Sequence, residues 1–175
     1  PSANRSGAIS PTTAAHVAAS LGDAVPLIID GGACSAGLES TIVALRNFDG
    51  RHGWQLLRPG PVDPADIAAL LGQAASPLAS HTIEAPGQLA SHYAPSKPVR
   101  LNAARAEADE WLIGFGTVAG NDTLSASDDL AEAAANLYAA LHRADLSPMP
   151  RIAIAPIPAD NMGAAINDRL RRAAA

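Results

Sequence analysis

Four short stretches of this chain gather residue types that hold anions or polar ligands. The first is Pro1-Ser2-Ala3-Asn4-Arg5-Ser6-Gly7, with Ser10 following at the start of a predicted helix. Small hydroxyls, a flexible glycine and the free N–H groups of a helix start can surround phosphate oxygens. Ser10 before Pro11 is equally a common way to begin a helix with no ligand present. The second stretch is Gly37-Leu38-Glu39-Ser40-Thr41, where a glycine leads into a strand that opens with two hydroxyls. Those hydroxyls suit a polar substrate at a sheet end, although Thr41 is also simply a good strand residue and Glu39 an ordinary edge charge. The third is Leu57-Arg58-Pro59-Gly60: a guanidinium that ends an apolar strand at a rigid turn offers a planar donor fork for phosphate, or is an exposed charge. The fourth is Ser91-His92-Tyr93-Ala94-Pro95. A histidine–tyrosine pair can stack on a base or close over a ligand, or Tyr93 can merely pin its segment to a surface. His92 lacks an adjacent carboxylate that would point to acid–base work.

The elements that must position these stretches follow from punctuation and periodicity. Ser10 as N-cap, Pro11 at the first helical position and Gly22 just past the end predict a helix carrying Val17 and Leu21 on one face. Val25 to Ile29 reads as a buried strand stopped by Asp30-Gly31-Gly32. Ser40 to Leu45 and Trp54 to Leu57 read as strands joined through Asn47-Phe48-Asp49-Gly50. A second helix has Asp63 as cap, Pro64 in its first turn, Gly72 as stop and Ile67, Leu70 and Leu71 as its apolar face. Residues 73–98 hold four prolines and no sustained period, which predicts a semi-stiff linker. Beyond it strands alternate with helices. The predicted strands are Val99 to Leu101, Trp111 to Phe115 and Arg151 to Ile157. The predicted helices run from Ala103 to Asp109, from Ser127 as cap, and from about Gly163. That alternation predicts a small, mostly parallel α/β sheet.

Composition bounds the rest. Hydrophobic residues make up 48 % of 175, aromatics only 3 %, and alanine supplies 40 residues, so the core must be aliphatic. A net charge of −5 argues against a generally basic nucleic-acid binder. The single cysteine, Cys34, excludes an internal disulfide framework and a cysteine-based zinc site, and is given no catalytic role. No apolar run is long enough to span a bilayer, and no basic-then-apolar leader opens the chain. Five scattered histidines form no metal-ligand or triad spacing; His16 is expected at the surface of the first helix.

In this order the motifs Ser2-Ala3-Asn4-Arg5-Ser6-Gly7, Ser10-Pro11-Thr12, Asp30-Gly31-Gly32, Glu39-Ser40-Thr41-Ile42-Val43, Leu57-Arg58-Pro59-Gly60 and Pro86-Gly87-Gln88-Leu89-Ala90-Ser91-His92-Tyr93-Ala94-Pro95 resemble one family. It is the YrdC-type L-threonylcarbamoyladenylate synthases in their long two-domain form. The tail Ala165-Ile166-Asn167-Asp168-Arg169-Leu170 is similar to the end of that form. The resemblance implies an α/β fold in three parts. Residues 1–72 would be the C-terminal portion of a YrdC-like twisted open-sheet catalytic domain, 73–98 a linker, and 99–175 a Rossmann-like domain. It implies formation of threonylcarbamoyl-AMP and pyrophosphate from threonine, bicarbonate and ATP. The adenylate would pass to a tRNA-modifying transferase complex that makes threonylcarbamoyladenosine. ATP would come with Mg2+, with no tightly bound prosthetic group, no metal held by the protein and no membrane partner, in the cytoplasm; direct tRNA contact stays open. Ser2, Asn4, Ser10, Arg58, His92 and Tyr93 would serve ATP and Ser40 threonine, with no residue assigned to bond making. The Lys/Arg-rich motif that precedes Ser-Ala-Asn in that family has no counterpart here, and Lys97 is the only lysine. The chain is therefore expected to be a fragment that begins inside the catalytic domain. The alternative is a non-catalytic nucleotide-binding or protein-docking module.

Overall fold

A computed structural model describes residues 3–48, 51–77, 83–160 and 162–175. Helix α1 spans Ala14–Leu21. Its N-cap is Thr13, whose side chain accepts from the His16 N–H, and not Ser10. Ser10 is diverted because its hydroxyl donates to the Glu39 carboxylate instead of accepting from a helix N–H. Gly22 closes the helix at φ 51°, as its position predicts.

The strand expected over Val25 to Ile29 does not form. Leu27 is 72 % and Ile29 84 % exposed, and among the described residues no strand lies alongside to accept its ladder bonds. The expected hairpin does form: β1 (Ile42–Phe48) pairs antiparallel with β2 (Arg51–Arg58). Both strands run further toward the turn than their apolar residues suggested, since ladder bonds continue through Asn47 opposite His52. Trp54 is fully buried and donates its indole N–H to the Gln73 carbonyl. Helix α2 (Pro64–Leu71) has its expected punctuation, with the Asp63 carboxylate accepting from Ala65 and Gly72 left-handed at φ 66°. Its predicted apolar face is not buried: Leu70 is 86 % exposed and no residue of the helix is fully covered.

The second half carries four parallel strands: β3 (Val99–Arg100), β4 (Glu110–Gly114), β5 (Asp122–Thr123) and β6 (Arg151–Ile154), in the order β3-β6-β4-β5. The predicted parallel sheet is present, with β5 as a short strand that no sequence period announced. Helices α3 (Leu130–Leu146) and α4 (Met162–Ala173) accompany it. The helix expected over Ala103 to Asp109 is absent. There the Ala103 N–H bonds the Ile154 carbonyl and Asn102 turns left-handed at φ 57°, which pulls the chain onto the sheet instead of winding it. Helix α3 starts at Asp129, two residues after the expected Ser127 cap, because the Asp129 carboxylate takes the Ala131 and Glu132 N–H groups. The Ser127 hydroxyl meets Ser125 and Glu132. Of the expected α3 line Leu130, Ala134, Leu137 and Leu141, the last three are buried and Leu130 is partly covered; Ile166 and Leu170 of α4 are buried as their spacing predicts.

One core joins both halves. Ile9 and Tyr93 pack into the same cluster as Ile113, Leu137, Ile152 and Ile166. Backbone bonds tie the seam: the Ala94 N–H to the Gly7 carbonyl at 2.8 Å and the His92 N–H to Arg172 at 3.1 Å. Gly37 is left-handed (φ +68°), and a Cβ there would sit 2.2 Å from the Ala134 carbonyl oxygen, so residues 37–40 lie directly on α3.

Candidate functional site

A cavity of about 370 Å³ opens along this seam. Its walls come from four parts of the chain: the segment before α1, residues 37–40 before β1, the end of β2, and residues 86–93, with Tyr138 of α3 behind them.

Glu39 is the electrostatic centre. Its carboxylate accepts from the Ser10 hydroxyl (2.5 Å), from both approaches of the Tyr138 hydroxyl (3.0 and 2.9 Å) and from Arg169 Nε (2.8 Å). Burial by itself would raise the Glu39 carboxyl; the Ser10 hydroxyl and the Arg169 guanidinium more than offset this and hold it below its ordinary value. The same carboxylate, after burial, pushes the Tyr138 hydroxyl upward. Arg169 is 1 % exposed, also pairs with Asp168 at 2.9 Å, and lies 5.4 Å over the Tyr93 ring. Asp168 in turn takes Arg172, so a charge ladder runs from the cavity along α4.

Arg58 is 7 % exposed. Its guanidinium donates to the Ser40 carbonyl (3.1 and 3.0 Å), the Ser40 hydroxyl (3.3 Å) and the Pro86 carbonyl (3.1 Å). All are neutral oxygens; among the described residues it has no carboxylate partner within ion-pair distance. A covered guanidinium without a counter-ion is costly unless an anion joins it.

His92 and Tyr93 meet edge to face at 4.1 Å. Tyr93 adopts the left-handed backbone (φ 61°), which a bulky residue rarely takes. His92 Nδ1 and the Tyr93 hydroxyl are buried with no hydrogen-bond partner. Burial lowers His92, with Glu39 opposing and Arg172, Arg58 and Arg169 adding to the shift, so the ring is neutral near neutral pH. Burial, then the Glu39 charge, raises Tyr93. Gly87 makes room for that ring: its φ is +82°, and a Cβ there would lie 2.0 Å from the Tyr93 hydroxyl oxygen. Gly87→Ala should therefore eject the ring. The chain has two tyrosines, both shifted upward. In an absorbance titration both tyrosines of the parent should ionise above the ordinary tyrosine range, whereas Gly87→Ala moves one of them down toward it. An unchanged titration would show that Gly87 does not seat the ring.

The structure thus gathers Ser10, Ser40, Arg58, His92 and Tyr93 around one cavity. Asn4 stands apart, its amide spent on the Arg5 and Ala8 carbonyls of its own loop. Ser2 lies outside the described residues. Cys34 is exposed at the cavity mouth. His16 is not a surface residue; it is half-buried against His142. Among the described residues no cluster of three or more His, Cys, Asp or Glu is placed to hold a metal. Three contributors were not assigned from the sequence: Glu39, offered only as an edge charge, Arg169, named only within the C-terminal motif, and Tyr138. A signal existed: Arg169 shares the apolar stripe of Ile166, Leu170 and Ala173, where a charge needs a buried partner.

A family model described as threonylcarbamoyl-AMP synthase, C-terminal domain, matches residues 62–175, and one described as telomere recombination matches residues 1–60. The threonylcarbamoyl-AMP synthase of Pyrococcus abyssi is 31 % identical over 195 residues, covering 99 % of this chain and 56 % of its own; that of Bacillus subtilis is 30 % identical with the same coverages. The crystal structure of P. abyssi Sua5 complexed with L-threonine superposes with a TM-score of 0.83 at 30 % identity, over 99 % of this chain and 56 % of that one. A variant of that protein with a consecutive histidine and tyrosine replaced by alanine gives 0.80 at 27 % identity, with the same coverages. The chain spans about half the length of the curated relatives it matches. A family match over 62–175 and relatives aligned along nearly the whole chain place this protein in the Sua5-type threonylcarbamoyl-AMP synthase family.

Proposed function

We propose that the cavity binds ATP and L-threonine for the synthesis of threonylcarbamoyl-AMP. The threonine amine bonds to the carbon of bicarbonate, the C–OH bond breaks, and water leaves to give a carbamate. The carbamate oxygen attacks the α-phosphorus of ATP, the bond to the β-phosphate bridging oxygen breaks, and pyrophosphate leaves. One observation carries the reading: Arg58, covered and without a carboxylate partner among the described residues, faces a cavity that also holds two orphaned polar atoms, His92 Nδ1 and the Tyr93 hydroxyl. Buried polar groups without partners mark a place where a ligand supplies them.

In this reading Arg58 neutralises phosphate charge and Ser40 contacts threonine. His92 and Tyr93 cover the labile mixed anhydride and keep water from it. The pair of a histidine followed by a tyrosine occurs once in this chain, and the same kind of pair was replaced in the archaeal relative. Ser10 acts through Glu39, and Asn4 shapes the loop before α1 through its bonds to the Arg5 and Ala8 carbonyls. The carboxylate that lines the cavity, Glu39, is taken up by Ser10, Tyr138 and Arg169. Mg2+ therefore enters on the ATP phosphates and not on a protein cage. We assign residues 1–72 to the C-terminal portion of a YrdC-like open-sheet domain, 73–98 to a linker over the site, and 99–175 to a Rossmann-like domain. The adenylate passes to a cytoplasmic tRNA-modifying transferase complex. No helix among the described residues is long and apolar enough to cross a membrane.

The test is pyrophosphate release from ATP, which should require both L-threonine and bicarbonate; release indifferent to threonine overturns the reading. Ser40→Ala should weaken L-threonine about tenfold, the cost of one hydrogen bond, and ATP much less. Equal loss for both ligands would remove Ser40 from the threonine site.

A further inference from the structure

His16 of α1 and His142 of α3 stack with ring centroids 4.0 Å apart and planes at 28°. Each also grips the backbone of the cavity wall from behind. The Thr12 N–H donates to His16 Nδ1 at 3.2 Å, so that nitrogen carries no proton. His142 Nε2 lies 3.2 Å from the Ser10 carbonyl, which can only accept, so that nitrogen does carry one. Ser10 and Thr12 both line the cavity, and the Ser10 hydroxyl feeds Glu39. The tautomers are thereby set, and the stack is a pair of neutral rings.

We propose that His16 and His142 are positioning residues: their neutral stack clamps the Ser10–Thr12 wall onto α3, and a proton on His16 releases it. A proton on His142 leaves its bond to Ser10 intact. A proton on His16 must enter at Nδ1, where it meets the Thr12 N–H donor against donor and turns to the Thr12 hydroxyl oxygen, 3.3 Å away, leaving the Thr12 N–H without its acceptor. The surrounding charges are few. Arg143 and Asp145 flank His142 on α3, and α1 contributes no charged residue. Asp145 is engaged by Ser96, and the Lys97 amine by the Ala144 and Ser147 carbonyls. Arg5 meets α1 through its backbone N–H on Ser20. Burial first, then His142 and Arg143, lowers His16; burial lowers His142 against the opposing Ser10 carbonyl and Asp145. A depressed folded-state value means the clamp is fully present above the ordinary imidazole range, near pH ~6.5, and is lost as pH falls below it.

Amide hydrogen exchange of Thr12 in the whole chain reads the clamp without any ligand. The protection factor, corrected for intrinsic exchange, should fall, by up to about tenfold, between pH ~7.5 and ~5.5. His16→Asn places an acceptor oxygen near the Nδ1 position that does not titrate; it should keep Thr12 protected at both values, whereas His16→Ala should lose protection at both. Protection that is equal at the two pH values in the parent, or a pH response in His16→Asn equal to the parent's, overturns the proposal. ATP affinity measured on the same samples should weaken at low pH in the parent and not in His16→Asn; this arm alone rests on the substrate reading. If the parent binds no ATP at either pH, the substrate reading fails and the exchange result still decides the clamp.

Discussion

Arg169→Ala should lower the unfolding free energy by about 3–5 kcal/mol at neutral pH, the range seen when one partner of a buried ion pair is removed. The guanidinium is 1 % exposed and bonds two carboxylates, Glu39 at 2.8 Å and Asp168 at 2.9 Å. Without it the Glu39 carboxylate keeps the Ser10 and Tyr138 hydroxyls as donors but has no countercharge. The loss should depend on pH. Glu39 is depressed in the folded protein, so the stability it contributes is present above the ordinary carboxylate value and is lost as pH falls through the folded one. The difference between parent and variant should therefore shrink in acid. Urea unfolding at pH ~7 and ~3 measures both statements, and a loss below about 1 kcal/mol at neutral pH would place Arg169 among ordinary surface cations. Arg169→Lys should recover little, because an ammonium cannot bond the Glu39 and Asp168 carboxylates with one planar fork.

Arg58→Ala should weaken ATP by about 1.5–3 kcal/mol, roughly ten- to a hundred-fold, the worth of a charge-assisted hydrogen bond. The guanidinium already satisfies the Ser40 and Pro86 carbonyls, so the substitution also unties residues 86–93 from β2. Arg58→Lys separates the two roles: it retains the charge and should recover part of the ATP affinity, while it cannot span Ser40 and Pro86 together. Titration calorimetry reads the outcome, and ATP affinity unchanged in Arg58→Ala would contradict an anion-binding role.

Local chemistry made much of this fold readable. Asp63, Pro64 and Gly72 bracket α2 because each satisfies or removes a terminal backbone group within a few residues. The stripe of α3 is visible since a helix repeats its buried face at fixed spacing. Ser40, Arg58, His92 and Tyr93 could be singled out because they stand at strand ends and Pro/Gly turns, the places where side chains leave a scaffold. Their convergence followed from the ordered motifs and from no local rule. What stayed hidden depends on distant partners. The run Val25 to Ile29 has strand composition but no strand beside it among the described residues, and Ala103 to Asp109 has helix composition but is held to β6 by the Ala103–Ile154 backbone bond and by Arg151 on Glu107. Glu39 and Arg169 stand 130 positions apart, so neither announces the other. Thr13 displaced Ser10 as the cap of α1 for the same reason, since the Ser10 hydroxyl was claimed by Glu39.

The central claim is that a covered guanidinium, a serine before β1 and the His92-Tyr93 pair form one substrate site. A crystal structure of the chain grown with ATP and L-threonine tests it most directly. The account predicts ligand density inside the cavity, with a phosphate or carboxylate oxygen about 3 Å from the Arg58 guanidinium and a polar ligand atom bonded to the Tyr93 hydroxyl. Nucleotide bound on another face, with only water between Ser40, Arg58 and Tyr93, would contradict it.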